Sequence, residues 1–192
     1  MGLFKKALTP SRAYTPEEAA PMMSGYDHYG SQRISTKSKQ VVTPESAKTI
    51  ATAYRAKNIL GNDVAKMPLQ HFRRIDGVVT QIEPEPTLLN MAYLLEIKPN
   101  RWMIPFIFKK TVMEWLIFWG NSYIWRPIGG APELFILPSS TTKPTLDEFG
   151  NKVYEVTFPN GMRDILPDVE VTHIMINSIN GREGKSVLEY AA

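Results

Sequence analysis

The chain has 192 residues, 43% of them hydrophobic, which is enough for one medium domain with a real core or for such a domain carrying an arm. It contains no cysteine, which excludes disulfides, cysteine-ligated zinc and thiol nucleophiles. The net charge of +3 conceals an asymmetry, because residues 1–75 carry 12 Lys/Arg against 5 Asp/Glu and residues 76–192 carry 10 against 14; basic charge spread this thinly reads first as solvated surface.

The start, Met1-Gly2-Leu3-Phe4-Lys5-Lys6, lacks the apolar run of a signal peptide, and Lys6 stands where a myristoylation motif requires Ser or Thr. Residues 1–40 mix Pro10, Pro16, Pro21, Gly25 and Gly30 with polar residues and show no apolar period, so a flexible basic arm is expected. Its candidate contacts are Lys5, Lys6, Arg12, Arg33, Lys37 and Lys39. Thr43-Pro44-Glu45 combines a capping hydroxyl, a proline suited to the first helical turn and an acid near the positive helix end. A helix is expected from there to Pro68, with Ile50, Ala53, Tyr54, Leu60, Val64 and Met67 on its apolar face.

Leu69 to Val79 reads as a strand and turn around Asp76-Gly77, hence a β-hairpin. A short apolar helix from Thr87 should end near Lys98-Pro99-Asn100, and a longer one should run from Arg101 to Trp119 and stop at Gly120-Asn121. Lys109, Lys110 and Glu114 make this apolar stretch a core helix, since such charges are too costly for a bilayer interior. Trp102, Phe106, Trp115, Trp119 and Tyr123 are the candidate core or subunit-interface residues. Beyond Ser122 the period shortens to two, giving strands at Tyr123–Trp125, Leu134–Leu137, Val153–Phe158 and Val171–Ile176. Helices followed by a mainly antiparallel strand-rich region make the fold class α+β.

Catalytic chemistry is poorly supplied. Gly181-Arg182-Glu183-Gly184-Lys185-Ser186 imitates a phosphate-cradling loop, but the required first glycine, five residues before Gly184, is Ile179. His28, His71 and His173 lie far apart without metal-ligand spacing, and His173 sits in a strand where a half-buried, hydrogen-bonded histidine is expected. No catalytic residue, metal ligand or cofactor site is assigned. A nucleotide-binding enzyme using Lys185 and a basic nucleic-acid-binding module remain as the alternatives.

Four segments, taken in order, resemble one family. They are the helix running into Met67-Pro68-Leu69; Leu88-Leu89 through Pro99-Asn100; the helix closed by Gly120-Asn121-Ser122-Tyr123, with Leu134 to Pro138 after it; and His173-Ile174 followed by Asn180 through Leu188. Together they resemble the portal proteins of tailed bacteriophages, with Val187 where the family has proline. The resemblance implies a portal wing-like α+β domain over residues 41–192, ending at the start of the helix that leads to the stem, clip and crown. It also implies a non-enzymatic, dodecameric ring at one capsid vertex of the virion, assembled in the host cytoplasm without membrane involvement. Implied partners are major capsid and scaffolding proteins, the terminase large subunit, head-to-tail adaptors and double-stranded DNA passing without sequence specificity.

Overall fold

The computed structural model describes residues 14–23, 34–35, 41–42, 51–83, 91–129, 132–178 and 180–187. In chain order its helices and strands are α1 (Pro16–Met22), β1 (Ile34–Ser35), β2 (Val41–Val42), α2 (Ala51–Lys66), β3 (His71–Ile75), β4 (Val78–Ile82), α3 (Met91–Glu96), α4 (Pro105–Trp119), β5 (Asn121–Trp125), β6 (Phe135–Leu137), β7 (Thr142–Leu146), β8 (Lys152–Thr157), β9 (Arg163–Pro167) and β10 (Val171–Met175). Helices and antiparallel sheets thus form the α+β arrangement read from the sequence.

The centre is the three-stranded antiparallel sheet β10-β5-β6, and its pleat divides the core in two. From one face Tyr123, Trp125, Phe135 and Leu137 meet Tyr154, Val156 and Leu166 of the second sheet, β7-β8-β9, and Phe158 just after β8. From the other face Ile136, with Ile124 partly buried, meets Phe108, Trp115 and Trp119 of α4 and Leu94 of α3. Helices, central sheet and outer sheet therefore stack as three layers. β7 and β9 were absent from the sequence reading. β7 contains Pro144, which an edge strand tolerates because that residue's missing N–H breaks no inner ladder, and the proline obscured the alternation.

Part of the expected arm belongs to this core. Thr15 and Glu18 cap α1 reciprocally, the Thr15 N–H donating to Glu18 Oε2 (3.0 Å) and the Glu18 N–H to Thr15 Oγ1 (3.4 Å). Tyr14, Ala19, Met22 and Met23 are buried in the cluster between the two sheets, and Tyr14 meets Trp125 edge-on at 5.7 Å. A flexible reading of residues 14–23 is corrected accordingly: seven helical residues are too few to display an apolar period, and their capping box was the available signal.

The face by which α2 packs also differs from expectation. Tyr54, Leu60 and Met67 are exposed, whereas Gly61 and Ala65 are buried. Gly61 lies so close to α4 that a Cβ there would come within 3.3 Å of Lys110 Cγ. Small residues spaced four apart let the two helices approach, and Lys57 Nζ bonds Glu114 Oε2 at 3.2 Å beside them. The predicted start of this helix at Thr43 lies outside the described residues.

Candidate functional site

Among the described residues, a densely bonded site is the junction where α4 passes directly into β5. Helix α4 begins with Pro105 at its first turn, four residues later than expected, and ends at Gly120, whose φ of 75° and N–H bond to Leu116 O (2.9 Å) form a left-handed cap. The chain then enters β5 without a loop. Residues 176–178 and 180–187 close over this junction: the Ile176 N–H donates to Gly120 O and the Lys185 N–H to Ile176 O, each at 3.0 Å. A Cβ on Gly184 would lie 2.1 Å from Gly120 O, and a Cβ on Gly120 would lie 2.3 Å from the Lys185 carbonyl carbon. Only paired glycines permit this backbone-to-backbone approach.

Asn121 ties the junction together. Its Nδ2 donates to Trp119 O (3.0 Å) and Gly184 O (2.9 Å), while its Oδ1 accepts from the Gly184 N–H (2.7 Å). These three bonds fix which amide atom is oxygen, so His173 Nε2, 2.9 Å from Oδ1, carries the hydrogen. His173 Nδ1 has no hydrogen-bond partner among the described residues and bears the lone pair of a neutral ring. Burial, assisted by the positive charge of Lys152, lowers the His173 pKa from 6.5 to about 4. The ring packs against Tyr123 at 4.3 Å and edge-on to Tyr154 at 5.8 Å.

This assigns a pH dependence to the junction. His173 binds a proton less readily folded than unfolded, so its contribution to stability is complete above pH 6.5 and is lost as pH falls towards 4. Denaturation midpoints measured between pH 7 and pH 4 should therefore fall more steeply for the wild-type chain than for His173→Gln.

The glycine-lysine-serine turn is occupied by its own chain. The Gly181 N–H donates to Ser178 Oγ, and the Arg182 and Glu183 N–H groups donate to Asn180 Oδ1. With the Gly184 and Lys185 amides directed to Asn121 and Ile176, every backbone donor from residue 181 to 185 has an internal acceptor. The donors a phosphate loop would aim at its ligand are spent, and Ser186 is buried.

A second feature is an apolar groove of about 750 Å³ between the C-terminal end of α2, helices α3 and α4, and the central sheet. Met67, Leu95, Val112 and Ile174 line it, with Lys109, Arg126 and Glu170 at its polar edge. Glu170 is buried, accepts a bond from Trp125 Nε1 (3.0 Å), and has its pKa raised chiefly by desolvation. Lys109 Nζ is anchored on Met67 O at 2.6 Å.

The five aromatic candidates do not share one environment. Trp115, Trp119 and Tyr123 are buried, Trp115 and Trp119 with ring centroids 4.5 Å apart. Phe106 is half-buried, and Trp102, 53% exposed, precedes the helix and leans edge-on against Phe135. Lys5, Lys6, Arg12, Arg33, Lys37 and Lys39 lie outside the described residues. Asn121, Gly184 and Gly120 went unassigned as a unit from sequence because they are 63 residues apart, joined by bonds that no local period records. Among the described residues no group of three acidic, histidine or cysteine side chains could hold a metal, and no helix is long and apolar enough to cross a membrane.

A family model described as phage portal protein matches residues 51–192. No curated protein matches the chain. Among solved structures, it is similar to a chain of the virion of the native gene transfer agent (GTA) particle, with a TM-score of 0.58 and 16% identity over 77% of this chain and 39% of that one. It is likewise similar to a chain in the neck of the empty GTA particle, computed with C6 symmetry, at a TM-score of 0.58 and 16% identity, covering 84% and 43%. A chain in the neck of the native particle, computed with C12 symmetry, matches at 0.52 and 17%, covering 72% and 36%. At these identities the likeness is one of fold, and this chain spans less than half the length of each.

Proposed function

Because the chain belongs to the phage portal protein family, we propose that it supplies the wing portion of a dodecameric ring at one vertex of a capsid. In this reading the ring conducts double-stranded DNA during packaging and ejection, and it docks the terminase large subunit and the head-to-tail adaptors. It also contacts major capsid and scaffolding proteins, in part through the basic residues Lys5, Lys6, Arg12, Arg33, Lys37 and Lys39. The protein works in the virion after assembly in the host cytoplasm and is not an enzyme. A conduit needs weak, sequence-independent contact with phosphates, since strong neutralisation would hold the moving duplex, and a net charge of +3 accords with that.

One observation carries the reading beyond the family match. Two of the four portal-like segments, the one closed by Gly120-Asn121-Ser122-Tyr123 and the one that opens on His173-Ile174, meet in a single bonded junction, with Asn121 joined to both His173 and Gly184. That use of the residues leaves the glycine-lysine-serine turn as structure and takes support from the nucleotide-binding alternative.

Negative-stain microscopy of the purified protein should show rings with a central hole. Monomers or compact dimers alone at micromolar concentration would overturn the proposal.

A further inference from the structure

Two exposed surfaces, far apart in sequence, complement one another. The first is the β3–β4 hairpin. Its register, from His71↔Ile82 to Ile75↔Val78, puts Phe72, Arg74 and Val79 on one face and Arg73, Ile75 and Val78 on the other. Phe72, Ile75, Val78 and Val79 are each more than half exposed, so neither face is covered. Both strands are exposed except at the base of the hairpin, where His71 Nδ1 lies 3.4 Å from Glu96 Oε1. A two-stranded hairpin with apolar residues on both faces is marginal in water and gains stability from a partner surface.

The second surface is the turn between β7 and β8. Asp147 fixes it by accepting from the Phe149 and Asn151 N–H groups at 2.9 and 2.7 Å. The turn presents Glu148 beside Phe149, which is 75% exposed, and Leu146, also exposed. The regions that carry the two surfaces differ in charge. Strands β3 and β4 carry Arg73 and Arg74 and no acid, whereas the 146–149 turn carries Asp147 and Glu148 and no base.

We infer that the β3–β4 hairpin of one copy docks by its face of Phe72, Arg74 and Val79 on the Leu146–Phe149 turn of a second copy, with Arg74 facing Glu148 and Phe72 and Val79 covering Phe149. The inference rests on the ring reading, because a closed ring is built from two different faces on each copy, joined head to tail. Opposite charge sets which faces meet and suppresses contact between like hairpins. A second copy supplies both the acid and the apolar surface the hairpin lacks.

The absence of cysteine makes the test direct. A Val79→Cys, Phe149→Cys chain, mildly oxidised, should yield a ladder of covalent multimers on a non-reducing gel, whereas each single variant should stop at dimers. Rings that form but crosslink no further than the single variants would overturn the docking while leaving the ring reading intact. Failure of the wild-type chain to form rings would remove both. In addition, hydrogen exchange of wild-type residues 71–82 should slow at least tenfold on assembly; equal exchange in ring and monomer would also overturn the docking.

Discussion

Alanine at Gly184 should destabilise the fold on the order of 4 kcal/mol or more, which places it among the rare severe single substitutions. The added Cβ meets Gly120 O at 2.1 Å and Ile176 O at 2.6 Å, and both are backbone atoms that cannot rotate away. Relief requires pulling residues 180–187 off the junction, at the cost of the bonds that Gly184 and Lys185 make there. Gly161→Ala is the matched control. Its φ of 85° is unfavourable for alanine but nothing lies within 4 Å of the new Cβ, so about 1–2 kcal/mol is expected. Urea denaturation of the two variants beside the wild-type chain checks the contrast, and similar midpoints for both would refute the close approach.

Asn121→Ala should cost on the order of 3 kcal/mol, because each buried polar group left without its partner carries a penalty of about 1–3 kcal/mol. The substitution removes the bonds to Trp119 O, Gly184 N, Gly184 O and the His173 Nε2 hydrogen together. Asn121→Asp separates charge from shape. The carboxylate still accepts from Gly184 and His173, but it confronts the Trp119 and Gly184 carbonyl oxygens with a second acceptor. It should destabilise the chain and also move the His173 titration upward from about 4, which imidazole proton resonances followed against pH would read. Because Asn121 and His173 share a bond, the Asn121→Ala, His173→Gln double variant should lose less stability than the two single losses combined.

The elements that announced themselves in sequence were those whose pattern is local. The Asp76-Gly77 turn appears as predicted, with φ of 47° and 83° at the two residues, because a tight hairpin with right-handed strand twist demands left-handed backbone there. Gly120 ended α4 as expected for the same reason of backbone freedom. Helix α2 was legible as a helix but not as to which face packs. Hydrophobicity pointed to Tyr54 and Leu60, while the helix-helix distance is set by the small size of Gly61 and Ala65. Trp102 was drawn into α4 by its spacing, although Pro105 fixes the first turn and Ile104 before it is extended. The junction was visible only as separate motifs: its closure depends on Asn121 reaching across 63 residues, a relation that tertiary structure alone creates.

The direct passage from α4 into β5 also has a mechanical side. Tension on the chain past Ser186 reaches the Lys185 and Gly184 bonds before it reaches the ladder of β10. Those bonds end on Ile176 and Asn121, and Ile176 is itself bonded to Gly120, so the pull is delivered to the end of a rigid helix and the centre of a sheet together. A pull on this segment is thereby shared between a helix end and the central strand instead of being taken by one edge of the sheet.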